Sequence, residues 1–235
     1  EACGVCHSQL HGIEGDWLDI GIPPALPTVP GHEVVGKIIG IGKDVTKFKV
    51  GDRAGITPLL EACQKCQYCL EGKEYLCESS IITGESFKGG YTEYITVTEN
   101  FATKVPESMK AEYAAPLFCA GITAYKAVKA AEPKQDKKIG IFGIGGVGHM
   151  AVQFAKVENC DVIAFSRTQS HLDVAKRLGA NDAMKFTENQ DEFLSTLKEK
   201  HGTLDAAIVF APADIVTDTA IKSVKKGGLI VIATV

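Results

Sequence analysis

The stretch GVCHSQLH, residues 4–11, crowds one cysteine and two histidines into a short span. Thiol and imidazole groups at this density can ligate a metal, pair as nucleophile and base, or do neither. On a helix His7 and His11 would share one face, so a local two-histidine metal clip is the first idea to weigh. A second concentration, CQKCQYCLEGKEYLC, places Cys63, Cys66, Cys69 and Cys77 close together in the chain. Four thiolates satisfy a tetrahedral Zn²⁺ completely and leave no open position for a substrate, which makes this a structural rather than a catalytic zinc site. The same ligand set would also suit an iron–sulfur cluster, and unrelated buried thiols could fall at this spacing by accident. A redox Cys-x-x-Cys pair explains less, since it needs only two of the four.

A third pattern, KIGIFGIGGVGHMAVQFAK, follows an apolar run and opens a helix-like one. Gly143 suits a tight turn, Gly145 a close approach of a pyrophosphate and Gly148 the packing of helix on strand, with Gly146 and Val147 between them. The helix N-terminus would face the phosphates. Outside this setting the spacing G-x-G-x-x-G says little; within it, dinucleotide binding is the reading. His149 reads as an ordinary helix residue.

These groups need elements to hold them. Residues 33–42, 49–56 and 90–98 are β-rich runs broken by Gly and Asp, and they predict a largely β domain. Residues 107–131 are helical in composition. Beyond them short apolar strands at 138–142, 161–166, 183–186, 205–210 and 228–234 alternate with helices near 146–158, 170–178, 190–200 and 214–224, the pattern of a parallel doubly wound sheet. Ser170 and Asp173 read as a capping box for one helix, and Gly179 as its end.

Composition narrows the function. The chain has 235 residues, 45% of them hydrophobic, and a formal net charge of −4, which argues against nucleic acid or an anionic membrane as partner. No apolar run approaches the roughly 18 residues of a membrane span. The chain is long enough to build a core without disulfides and shows no signal peptide, so its eight cysteines are read as reduced and the protein as cytoplasmic. Cys3 and Cys160 have no motif partner and read as buried thiols.

GVCHSQLH, PGHEVVG, the four-cysteine loop, APLFCAGITAY and GIGGVGH stand in this order on one chain, and together they resemble the medium-chain, zinc-dependent alcohol dehydrogenases. The text around 116–154 is most similar to the cinnamyl-alcohol-type and broad-range microbial members. The resemblance implies a largely β, GroES-like catalytic domain over 1–121, with a structural-zinc lobe at 61–79, and a Rossmann dinucleotide-binding domain over 122–235. It makes Cys6, His32 and Cys119 the ligands of a catalytic zinc, with Glu33 a fourth or alternating ligand. Ser8 and His11 match the proton relay and His7 a position facing the cofactor pyrophosphate; Trp17 and Leu59 are candidate pocket linings. A Cys₂His set leaves one coordination position for an alcohol oxygen while the ion acts as a Lewis acid. Gln9 departs from the family, which usually has an Asp there as acceptor for the ligating histidine, so the surroundings of His32 are weaker or differently built.

The implied function is reversible hydride transfer between a small-molecule alcohol and NAD(P)⁺, with two Zn²⁺ per subunit in a homodimer or homotetramer. The alternative is a catalytically inactive dinucleotide-binding sensor that keeps only the structural zinc; a zinc-ribbon interaction module would leave the glycine loop, His32 and Cys119 unexplained. At the end of the strand 161–166, Ser166 stands where an NAD-selective enzyme carries a carboxylate, followed by Arg167 and Thr168. That substitution removes repulsion towards a 2′-phosphate and offers a guanidinium to it, an expectation of NADP(H) over NAD(H). The chain opens on EACGVC without an initiator Met and closes on GGLIVIATV, and family members have further residues at both ends. The chain is therefore expected to be part of a longer subunit, with both domains truncated.

Overall fold

The structure, a computed structural model, describes residues 1–21 and 26–234. The chain forms two compact units, Glu1–Cys119 and Ala120–Val235.

In the first unit β1 (Ala2–Cys3), β2 (Val34–Lys37), β3 (Arg53–Ile56) and β6 (Ala102–Lys104) form an antiparallel sheet in the order β1-β2-β3-β6. Helix α1 (His7–Glu14) follows β1 and stops at Gly15, whose φ of 79° is the left-handed backbone that closes helices. β4 (Leu59–Glu61) and β5 (Ile81–Ile82) pair as a separate ribbon, and the short helix α2 (Gln67–Leu70) lies in the excursion between them. Val34, Ile56 and Leu60 make one small core; Val35, Val105, Ala111, Ala114 and Ala115 make another.

Three expectations are corrected here. Residues 90–98 form no strand, because Gly89, Gly90 and Tyr91 donate their N–H groups to the carbonyls of Val29, Gly31 and Pro30 rather than to a sheet partner. The β-runs 33–42 and 49–56 contribute only β2 and β3. The helical text 107–131 is interrupted: α3 (Ala111–Ala114) passes into a 3₁₀ turn, Ala115–Phe118, and α4 (Ala120–Ala130) starts anew after Cys119, whose φ and ψ of −129° and −72° are not helical. Pro116 supplies no N–H in that turn, which favours the break. The break is what frees Cys119 from a continuous helix.

In the second unit β7 (Lys138–Phe142), β8 (Asp161–Ser166), β9 (Asp182–Lys185), β10 (Leu204–Val209) and β11 (Val224–Ile232) form a parallel sheet in the order β11-β10-β7-β8-β9. The connections are α5 (Gly148–Val157), α6 (Gln169–Arg177), α7 (Gln190–His201) and α8 (Asp214–Ser223). Residues of α4, α5 and α6 pack with Ile139, Ile141 and Ala164 in one core, whereas α7 and α8 pack with Phe142, Ile163 and Phe165 in the other, so helices cover both faces. This is the doubly wound arrangement. The chain order reverses between β7 and β10, the switch point at which such sheets bind ligands. The capping box at α6 does not form: Thr168 is the N-cap residue, without a side-chain cap, and Asp173 instead accepts from Gln169 Nε2 at 2.8 Å. Gly179 follows the helix end with φ 106°.

One glycine couples the first sheet to the site. A β-carbon on Gly55 in β3 would lie inside the Phe118 ring, which rests on the sheet directly before Cys119. Gly55→Val is expected to cost about 1–3 kcal/mol by overpacking. The loss would appear as a lower denaturant midpoint, and adding Phe118→Ala should restore part of it.

Candidate metal and dinucleotide sites

Two clusters of metal-type donors form within the first unit. Cys63, Cys66, Cys69 and Cys77 bring their sulfurs within 4.8 Å of one another, and so do the donor atoms of Cys6, His32, Glu33 and Cys119. In the first cluster the chain wraps the sulfurs with its own backbone: Cys63 Sγ receives the Cys66 N–H at 3.3 Å and Cys77 Sγ the Cys63 N–H at 3.4 Å. Backbone N–H groups of Lys65 and Cys66 pull the Cys63 thiol down to about 6, while desolvation and the Cys66 sulfur push Cys69 up to about 12. The protons are thus unequally held, as in any group of thiols too close for all to ionise without a cation.

The second cluster is assembled from separate elements. Cys6 is the N-cap residue of α1, His32 and Glu33 immediately precede β2, and Cys119 follows the 3₁₀ turn. His32 and Glu33 are each 3% exposed. Cys6 and Cys119 sulfurs lie 3.7 Å apart. The Cys119 thiol, followed by the His32 ring and the Ser8 hydroxyl, holds Cys6 down to about 3 against its burial, and the Cys119 thiol is correspondingly pushed up by Cys6 and by its own burial. His32 Nε2 is buried without a hydrogen-bond partner, which is the electron pair a metal would use. Space for the carboxylate is reserved as well, since a β-carbon on Gly4 would overlap Glu33 Oε2. The donor set fits zinc: two sulfurs, one imidazole and one carboxylate.

α1 carries the other expected residues. Ser8 Oγ is 3.6 Å from Cys6 Sγ. His7 and His11 stack with ring centroids 4.5 Å apart, and His11 Nδ1 pairs with Asp16 Oδ2 at 2.6 Å. The two histidines share a face, as their spacing requires, but neither joins a cluster of three or more metal-type donors among the described residues. Trp17 lies 5.7 Å from the His11 ring, and Leu59 is half-buried in β4. Gln9 is the buried residue of α1, bonded to His32 Nδ1 at 3.1 Å and to the Gly31 N–H at 2.5 Å. Cys3 is half-buried rather than buried, and Cys160 is buried. Two neighbours had no sequence signal. Asp16 follows the helix in an unremarkable turn, and Glu85, whose carboxyl is pushed up first by burial and also by the Cys6 charge, stands in no motif.

In the second unit the glycine loop runs from the end of β7 to the start of α5. Gly143 has φ 97°, and a β-carbon there would stand 2.9 Å from the Ala211 nitrogen. A β-carbon on Gly148 would overlap the Gly143 carbonyl oxygen, whereas Gly145 and Gly146 face open space. Val147 precedes α5, and His149 Nδ1 bonds the Gly145 carbonyl at 3.0 Å. At the end of β8, Ser166 Oγ accepts the Thr168 N–H at 3.2 Å, and Arg167 and Thr168 are exposed.

A doubly wound sheet with a glycine loop at its switch point, on one chain with a β unit bearing two sulfur-rich metal-type clusters, defines the class of zinc-type dinucleotide-binding dehydrogenases. Residues 1–107 match the family described as alcohol dehydrogenase GroES-like domain, and residues 146–235 that described as zinc-binding dehydrogenase. An alcohol dehydrogenase of Geobacillus stearothermophilus is 43% identical over 232 residues, covering 99% of this chain and 67% of the relative. A cinnamyl alcohol dehydrogenase structure from Sorghum bicolor superposes with a TM-score of 0.85 at 35% identity, over 98% of this chain and 66% of that one. The structure of CAD from Helicobacter pylori complexed with NADP(H) gives 0.85 at 30%, over 98% and 65%. The chain belongs to the medium-chain, zinc-dependent alcohol dehydrogenase family, and it spans about two thirds of the length of these relatives.

The two kinds of glycine predict opposite failures. Gly148→Ala should lower the thermal midpoint of the protein, because backbone must move, whereas Gly145→Ala should leave the midpoint in place and weaken dinucleotide binding measured by calorimetry.

Proposed function

We propose that the protein is a zinc-dependent oxidoreductase that transfers a hydride between an alcohol and a nicotinamide dinucleotide. The observation that carries this reading is the convergence of Cys6, His32, Glu33 and Cys119 around an unpartnered His32 Nε2, apart from the four-cysteine cluster. Cys6, His32 and Cys119 hold the catalytic zinc, with Glu33 as a further or alternating ligand, and Cys63, Cys66, Cys69 and Cys77 hold the structural one. Bound there, the catalytic ion would supply a Lewis acid to the alcohol oxygen, and the dinucleotide on the glycine loop a hydride acceptor.

The chain's own residues supply the proton path. Ser8 sits beside Cys6 and takes the hydroxyl proton of the alcohol. His11, three residues on along α1, is the exit, held in place by Asp16 at 2.6 Å. His7 stacks against His11 and serves the cofactor pyrophosphate. Two zincs per chain favour this reading over a sensor with the structural zinc alone. Metal analysis is expected to find both, and the protein to reduce the nicotinamide with simple primary alcohols; a single zinc with no turnover would refute it.

Cofactor choice rests on Ser166, Arg167 and Thr168. A buried hydroxyl offers no charge to repel a 2′-phosphate, and the exposed guanidinium beside it can pair with one in forked geometry. The reading is preference for NADP(H). Changing Ser166→Asp together with Arg167→Gln should lower kcat/KM for NADP⁺ far more than for NAD⁺. Equal losses, or a starting protein that favours NAD⁺, would count against it.

A further inference from the structure

We propose that Lys185, the last residue of β9, reads the ribose 2′ position of the dinucleotide together with Arg167, as a second specificity-determining cation. The inference rests on the NADP(H) reading above. The register of the sheet carries it: β8 and β9 run parallel with Ser166 opposite Lys185, and the Phe186 N–H donates to the Ser166 carbonyl at 2.9 Å, so the pairing reaches the ends of both strands. Side chains alternate between faces along a strand, and opposite partners share a face. Two positions earlier on this face Ala164 is buried in the core with residues of α4, α5 and α6, and Ala183 packs against that core. One pleat further on the face leaves the core, which sets Ser166 and Lys185 side by side at the carboxyl edge, where open parallel sheets take their ligands. Ser166 is buried there and Lys185 is exposed. Neighbouring strands lie about 4.8 Å apart, less than the length of an extended lysine side chain, so the ammonium group can reach the space in front of Ser166.

Charge gives the reason for a second cation. A phosphate monoester carries about −1.5 to −2 at pH 7, more than one guanidinium neutralises. Among the described residues neither Arg167 nor Lys185 has an ion-pair partner, whereas Lys176 and Lys225 of the same unit pair with Asp182 and Asp205. Carboxylates near the two strand ends are engaged with amides: Asp173 accepts from Gln169 at 2.8 Å and Glu192 from Asn189 at 3.1 Å. Glu188, in the turn after β9, is exposed and makes no ion pair with Lys185. Arg167 and Lys185 are eighteen positions apart in the chain and become neighbours only through the pairing of β8 with β9.

The test measures binding of two cofactor fragments, 2′,5′-ADP and 5′-AMP, to the whole chain by titration calorimetry. The fragments differ only in the 2′-phosphate, and neither needs hydride transfer to be read. The starting protein should bind 2′,5′-ADP the more tightly. In Lys185→Gln the affinity for 2′,5′-ADP should fall by about tenfold, the scale of one hydrogen bond to a charged group, while that for 5′-AMP stays within about twofold. Lys185→Arg should keep most of the preference, because it keeps the charge. Equal weakening of both fragments would mark Lys185 as structural and overturn the proposal. So would an unchanged preference in Lys185→Gln, which would leave Arg167 to read the phosphate alone. A starting protein that binds 5′-AMP as tightly as 2′,5′-ADP would instead overturn the cofactor reading beneath it.

Discussion

Anionic sulfurs repel, and the first unit is built around two places where sulfurs are nevertheless brought together. Two unit charges about 4 Å apart cost roughly 4 kcal/mol near a protein surface. Sulfurs 3.7 Å apart in Cys6 and Cys119, and 3.9 Å apart in Cys63 and Cys69, therefore share protons unequally until a cation lies among them. The unequal pull on the thiols is the electrostatic signature of that constraint. Cys6 meets it at the start of α1 and Cys119 in the break before α4, both outside regular structure.

The second unit solves a different problem with backbone alone. Its ligand would carry phosphates, and the loop after β7 offers open space at Gly145 and Gly146 while Gly143 and Gly148 close tightly against the chain. No side chain in the loop carries charge, so attraction must come from oriented N–H groups at the start of α5. At the end of the next strand Ser166 accepts the Thr168 N–H, and Arg167 is exposed.

Around His32 the polar groups are not so neatly divided. Gly31, Gly84 and the buried amide of Gln9 form a cradle with little freedom, and they decide how the imidazole is oriented before any ligand arrives. The stacked His7 and His11 show the opposite design: His7 is exposed, and the half-buried His11 is paired to the Asp16 carboxylate.

The first four strands of the second unit were legible from sequence to within a residue at each end, because a buried parallel strand is a continuous apolar run, whereas the last, expected over 228–234, starts earlier and runs Val224–Ile232. The four-cysteine cluster was legible too, since its donors lie within one short segment and spacing alone limits where they can go. In the β-rich half, by contrast, residues 90–98 alternate like a strand yet join no strand among the described residues, because Gly89, Gly90 and Tyr91 spend their hydrogen bonds on the segment before His32. The capping box at Ser170 gave way to Thr168 for the same kind of reason: local propensity is a weak preference that a neighbouring strand end overrides. Cys6, His32 and Cys119 were identified only by likeness to a family, because residues 113 positions apart in the chain share no periodicity. Local order, set by nearest neighbours, was determined by the sequence itself; the contact of Gln9 with His32, the Asp16 partner of His11 and the company of Glu85 were decided by the tertiary structure, since a hydrogen bond between distant residues exists only once the chain has closed around it.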